Sequence, residues 1–212
     1  MGEGSWRSAK LFEAISGGIP GPWPISPKWF GGCSWKPRPA DRWGCPVAVD
    51  LRGRATWADD ALRAMADPER KRATAGYFPT SMEVLGVSAP KMRTVLRQLL
   101  QDLKGEPPER VLELAWLLRS LETHEARQVA FELFDRRPDA RRILKTLEIR
   151  RLGAGNDNWA SVDTFASYVS GPAWREGQLS DRQILLWAGM RNHWWRRTAA
   201  VSRLSVSMVG PW

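Results

Sequence analysis

From Thr56 onward, apolar residues recur every three or four positions in runs separated by short polar or Gly/Pro breaks. In SAPKMRTVLRQLLQDLK, Met92, Val95, Leu96, Leu99, Leu100 and Leu103 fall on one stripe of period 3.6, which predicts an amphipathic helix. Ser88 stands where an N-cap belongs, Pro90 lies in the first turn, and Gly105 closes the run. The same reading starts a helix at the prolines of EPPERVLELAWLLRS. Further helices start at Thr123, at Pro138 (running through Ile143, Leu144 and Leu147), at about Asn158 to Val169, at Ser180 with Gln183 completing a capping box, and near Asn192. No run of alternating β-branched residues is long enough to argue for a sheet, so the fold class is all-α. Helix starts near 107 and 123, 138 and 158, then 180 and 192 group into antiparallel pairs recurring at about 35–40 residues, the period of an α-solenoid. A compact helical bundle is the alternative, because the pairs share little sequence similarity.

Residues 1–55 do not follow this pattern. Seven of the 15 prolines and five of the 13 tryptophans lie there, mixed with Gly and Ser, and no helical or strand period survives. The segment is expected to be extended or disordered, or to be non-native sequence from an upstream start codon, with residues 56–212 forming the helical domain. Cys33 and Cys45 also fall in it. Two thiols with no His nearby make neither a zinc site nor a disulfide framework, and they read as ordinary free thiols.

Charge adds a partner to this picture. The net charge of +9 over 212 residues points to an anionic ligand, either nucleic acid or a membrane surface. No apolar run approaches the roughly 20 residues that span a bilayer, and the start has no signal-peptide pattern, so a cytoplasmic protein is expected. The basic excess is local. Arg136, Arg137, Arg141, Arg142, Lys145, Arg150 and Arg151 precede the stretch NDNWASVDTFAS, and Arg191, Arg196, Arg197 and Arg203 follow it. Within that stretch Trp159 and Asp163 are four residues apart and share a helix face, while Val162, Phe165 and Val169 form the adjacent apolar stripe. An unpartnered buried Asp costs several kcal/mol, so Asp163 is exposed, paired with Arg, or functional. A second cluster, RNHWWRRTAAV, sets Trp194 and Trp195 beside Arg196 and Arg197, a composition suited to stacking on bases and gripping phosphates. Its simpler reading is one core Trp and a solvent-facing Arg pair.

From about Thr56 to Val201 these residues resemble the AlkD-type DNA alkylation repair proteins, alkylpurine DNA glycosylases built from HEAT-like repeats. VLGVSAP (Val84 to Pro90) is similar to the F-L-G-[IV]-x-x-P that opens a helix in that family. LAWLLRSLETHEARQVAFELF, with Leu114, Trp116, Glu125 and Ala130, suits its next marker. NWASVD looks like W-[DS]-x-V-D and places Trp159 and Asp163 on the catalytic Trp and Asp, and HWWRRTAAV looks like W-x-x-R-x-A and places Arg197 on the DNA-gripping catalytic Arg. The resemblance implies a right-handed α-solenoid of antiparallel HEAT-like pairs. It also implies a monomer, associated with the nucleoid, that binds alkylated double-stranded DNA and hydrolyses the N-glycosidic bond of 3-methyladenine or 7-methylguanine. No metal or organic cofactor is implied. Arg150, Arg151, His193, Trp194, Trp195 and Arg196 are the expected DNA-binding residues beside the catalytic three. Two departures stand out: Ala160 follows the Trp where relatives often carry Asp, and the family's further helices, with another DNA-contacting Trp, have no match before Trp212, so C-terminal truncation is expected. A non-catalytic DNA binder and a protein-interaction scaffold remain the alternative functions.

Overall fold

The computed structural model describes residues 49–207, with side chains described as far as Leu204. The chain divides into Met1–Pro46 and Val47–Trp212. The first unit, with both cysteines and the tryptophan-rich segment, lies outside the described residues; among the described residues of the second, the regular elements are helices, with one isolated bridge between Glu83 and Thr123.

Helix α1 (Leu51–Ala64) starts five residues before Thr56, because Asp50 caps it by accepting the Gly53 N–H. Leu51, Ala55, Ala58 and Leu62 give it a buried stripe. Helix α2 (Pro68–Tyr77) is capped by Asp67, which accepts from the N–H groups of Glu69 and Arg70. Helices α3 (Ala89–Asp102), α4 (Pro108–Arg119) and α5 (His124–Arg136) follow. Ser88 occupies the N-cap of α3 with extended backbone and no side-chain capping bond, and Thr123 caps α5 through the Ala126 N–H.

The helix expected from Pro138 is two: α6 (Pro138–Arg142) and α7 (Thr146–Gly153). The break is held open from outside. Gln178 donates its amide to the carbonyls of Arg141 (2.6 Å) and Leu144 (3.1 Å), and the Glu148 carboxylate accepts the Lys145 N–H at 2.7 Å to start α7 afresh. The next segment behaves in the opposite way and outlasts its expected end at Val169. Helix α8 (Trp159–Phe165) runs through a π-helical turn (Ala166–Ser170) into α9 (Gly171–Arg175). Pro172 cannot donate a backbone hydrogen bond, and the turn before it widens so that the Gly171 N–H reaches the Ala166 carbonyl. Helices α10 (Asp181–Ala188) and α11 (His193–Ser207) complete the described chain, α10 with Ser180 accepting the Gln183 N–H.

Four helices start at a near-constant interval: α3 at Ala89, α5 at His124, α8 at Trp159 and α11 at His193, steps of 35, 35 and 34 residues. These helices are also spatial neighbours, with α5 packed against α3 and α8, and α11 against α8 and the π turn. Contacts near both ends show that α8 and α11 run the same way: Asp163 meets Arg197 early, and Ser170 Oγ lies 2.7 Å from Ser202 Oγ later. The core between this row and α1, α4, α7 and α10 is filled by fully buried Leu62, Leu99, Leu118, Phe131, Phe165 and Trp187. Each such side chain contributes about 1.5–3 kcal/mol of burial. Among the described residues no helix is long and apolar enough to cross a membrane.

Candidate active site

The first turns of α8 and α11 bring three charged or aromatic side chains together. Asn158 sets the start of α8 by accepting the Ser161 N–H at 2.9 Å, which fixes Trp159 as the first helical residue and Asp163 one turn on. Val162, Phe165 and Val169 are fully buried, and Trp159 and Asp163 are half-buried on the neighbouring face. Arg197 is the fifth residue of α11 and Asp163 the fifth of α8, so the two lie level on adjacent helices. The guanidinium donates from Nε and Nη2 to the two carboxylate oxygens, each at 2.7 Å. This fork geometry raises the pKa of Arg197, chiefly through the bond to Asp163. The side chains stay 43% and 31% exposed, so an anion in solution can reach the pair and compete for the arginine.

Trp159 has an aromatic wall that the sequence reading did not identify. Tyr77 meets it edge to face at 5.1 Å and Phe78 at 6.1 Å between centroids, and the indole N–H donates to the Tyr77 carbonyl at 3.4 Å. Tyr77 itself is 69% exposed. The signal was legible as an aromatic pair ahead of Pro79, just upstream of the VLGVSAP marker.

The segment that carries this wall is fastened at two points. Asp157 accepts from Thr80 Oγ1 (2.5 Å), the Ser81 N–H (2.6 Å) and Ser81 Oγ (2.7 Å), and its carboxyl pKa falls because these bonds outweigh partial burial, the largest single influence and one acting upward. Glu125, only 2% exposed, accepts the backbone N–H groups of Leu85 (3.0 Å), Gly86 (2.7 Å) and Val87 (3.2 Å). Below Trp159, His124 Nδ1 lies 3.2 Å from Ser161 Oγ, with the Phe78 ring 4.8 Å away.

Burial lowers the His124 pKa from 6.5; Arg127 adds to this, while Glu125 and Asp157 oppose it. The neutral ring is therefore the folded form. Its contribution to stability is present above the unfolded pKa of 6.5 and is lost as the pH falls below it, since the unfolded chain then binds the extra proton. Thermal midpoints measured from pH 7 to pH 5 are expected to fall, and His124→Gln is expected to flatten that decline.

The other expected DNA-binding residues divide into groups. Trp195 turns inward, with its ring centroid 4.7 Å from that of Trp187 and 6.4 Å from that of Phe165. Gly153 permits this: an added Cβ would lie 2.6 Å from Phe165 Cε1 and 2.9 Å from Trp195 Cη2. Gly153→Ala is expected to lower stability by about 1–3 kcal/mol through overpacking, read as a shift in the denaturation midpoint. Arg196 donates to the carbonyls of Met190 and Arg191 at 2.9 and 2.7 Å and closes the end of α10. His193 is exposed with its ring 4.2 Å from that of Trp194. Trp194 is half-buried and lines a cavity of about 130 Å³ with Gly155, Asn156, Asp157 and Asn192. Arg150 and Arg151 are exposed in the last turn of α7 and take no part in the Asp163–Arg197 pair.

Two arginines that the sequence reading passed over organise the loop before α8. Arg119 donates to the carbonyls of Leu152 (3.2 Å) and Ala154 (2.5 Å), and buried Arg127 donates to Asn156 Oδ1 at 3.0 Å. Burial, with the charge of Arg119 second, pulls the Arg127 pKa down to about 10. Gly155, at φ 72°, makes the left-handed turn between them.

A basic guanidinium, a carboxylate and an indole thus converge at two helix starts on one accessible face. The family model described as DNA alkylation repair enzyme matches residues 58–207. The chain belongs to that family. No curated protein matches it. Membership makes the protein a DNA repair enzyme in the broad sense, with DNA as its substrate or partner. The matched span starts within α1 and ends at the last residue of α11, so it contains every helix that builds the site.

Proposed function

We propose that the protein is a DNA N-glycosylase that removes cationic alkylated purines, such as 3-methyladenine and 7-methylguanine, from duplex DNA. The observation that carries this reading is the level pairing of Asp163 with Arg197 beside the half-buried Trp159, with the pair open to solvent. The near-constant 35-residue interval of α3, α5, α8 and α11, each packed on the next, supports an α-solenoid of HEAT-like pairs. On such a scaffold the row of helix starts forms the surface on which the duplex lies.

The chemistry asks little of the protein beyond electrostatics. An alkylated purine already carries a positive charge, so the C1′–N bond breaks with both electrons passing to the base, which leaves neutral. Water adds to C1′ and releases a proton. No general acid is required, and a carboxylate beside C1′ stabilises the oxocarbenium character that develops there and orients the water. Asp163 has that role. Trp159 offers its π face to the deoxyribose and the cationic base, an attraction worth about 1–2 kcal/mol when desolvated. Arg197 takes a phosphate next to the lesion. As the phosphate takes over its donors, the Asp163 oxygens come free for the sugar, so binding and activation are one event.

A second reading, a non-catalytic DNA binder, draws on the same ion pair, because a carboxylate held by both oxygens is occupied. The two readings separate in one assay. The glycosylase releases free methylated purine from alkylated duplex DNA without added metal and leaves abasic sites, whereas the binder shows salt-dependent binding and no free base.

A further inference from the structure

We propose that Arg93, Arg97 and Arg136 form a second phosphate-binding station, which holds the DNA backbone on the α3 side of the reaction site. This rests on the reading of Asp163 and Arg197 as a site that acts on DNA. Counted from their helix starts, Arg93, Gln128, Asp163 and Arg197 are each the fifth residue of α3, α5, α8 and α11. One turn on, the ninth residues are Arg97, Glu132, Ser167 and Val201. The row that ends in Arg197 on one flank of Asp163 therefore carries Arg93 on the other, with Gln128 buried between them.

The cluster is built as a surface rather than scattered. Pro90, Arg93, Leu96, Arg97, Leu100 and Arg136 line a concavity of about 560 Å³, with buried Leu96 and half-buried Leu100 as its floor. Arg93 and Arg136 are about half exposed. Glu132 lies 3.8 Å from Arg93 and Asp135 lies 3.5 Å from Arg136, and Arg97 donates from Nε to the Arg93 carbonyl. Three guanidiniums face two carboxylates, so the patch stays net positive. The patch adjoins the helix that carries the site. Besides burial, which raises its pKa, Tyr168 feels the charges of Glu132, Asp135, Arg93 and Arg136. Tyr168 lies in the π turn that continues α8, five residues beyond Asp163.

Charge complementarity selects the occupant. Guanidinium forks fit phosphate oxygens, and an apolar floor fits deoxyribose carbons. Three helix spacings put α3 about 24–30 Å from α11, and at 3.4 Å per base step that is about 7–9 base pairs, less than one turn of duplex. One continuous DNA can therefore engage Arg197 at the lesion and this station on the flank.

The test compares R93A/R97A/R136A, R93K/R97K/R136K and wild type, all with matching thermal midpoints, on a duplex of about two turns. The methylated base is placed at the centre or near either end, and an unmodified duplex is included. In the alanine variant the slope of log affinity against log salt is expected to shrink by about 2–3, with about ten- to hundredfold weaker binding of the centred duplex. Base release at saturating protein should stay within about twofold, since no station residue meets the reacting atoms. The lysine variant should keep the slope, and the defect should vanish on one end-lesion duplex, the one lacking the α3-side flank. An unchanged slope, or equal defects on both end-lesion duplexes, would overturn the station while leaving wild-type base release intact. Wild type that releases no base, alongside a variant that has lost the slope, would instead overturn the glycosylase reading alone. Wild type that binds no DNA, or binds only acidic protein at this patch, overturns the station.

Discussion

Glu125→Ala is expected to destabilise the protein by about 4 kcal/mol, measured by chemical denaturation at neutral pH. The carboxylate is almost fully buried and is the acceptor for three consecutive backbone N–H groups, those of Leu85, Gly86 and Val87. Removing it strands those donors away from water at about 1–3 kcal/mol each, partly relieved by movement of the segment. Such a loss is a large part of the 5–15 kcal/mol typical of a folded domain. Glu125→Gln keeps the volume but turns an NH₂ toward N–H donors, and a loss of about half that size is expected. The consequence reaches the site, because the same segment carries Tyr77 and Phe78 against Trp159. Glu125 variants should therefore lose the aromatic wall before they lose the helical row. A stability change within about 0.5 kcal/mol for the alanine variant would show that the segment is held by other contacts.

Asp163→Asn is expected to reduce base release by about a hundred- to a thousandfold or more while leaving DNA affinity nearly unchanged. The two side chains have the same shape, so neither helix start needs to move. What disappears is the negative charge opposite the forming oxocarbenium, and with it one of the two acceptors for Arg197. Binding should hold or tighten slightly, because a negative charge has been removed from a surface that meets phosphates. Weakened binding together with weakened release would instead make Asp163 a structural partner of Arg197.

Much of this was legible in the sequence, and the failures have physical causes. Helix starts marked by a capping side chain or an N-terminal proline, at Ser88, Pro108, Thr123, Asn158 and Ser180, fall where expected, because those signals act within one turn. The break between α6 and α7 was not legible, because Gln178, more than thirty residues away, satisfies the carbonyls there. The helix from Asn158 outlasts its expected end at Val169, because Pro172 is accommodated by a π turn, a local widening that no side-chain pattern marks. Helix α1 was missed although Leu51, Ala55, Ala58 and Leu62 form a stripe behind the Asp50 cap, because the Pro- and Trp-rich composition ahead of it was carried too far. At the site, Trp159 and Asp163 were readable from one helix face, but the level pairing of Asp163 with Arg197 depends on a 34-residue repeat that no local pattern reveals. Trp194 and Trp195 looked equivalent in sequence; packing against Trp187 and Phe165 separates them.

The central claim, that the carboxylate of Asp163 drives cleavage of the glycosidic bond, is tested most directly by single-turnover release of free base from methylated duplex DNA. Wild type and Asp163→Asn are measured side by side at protein concentrations that saturate both. The account predicts free methylated purine and matching abasic sites from wild type, and almost none from the variant although it binds the same duplex. Equal release by the two proteins, or none from wild type bound to the methylated duplex, would contradict it.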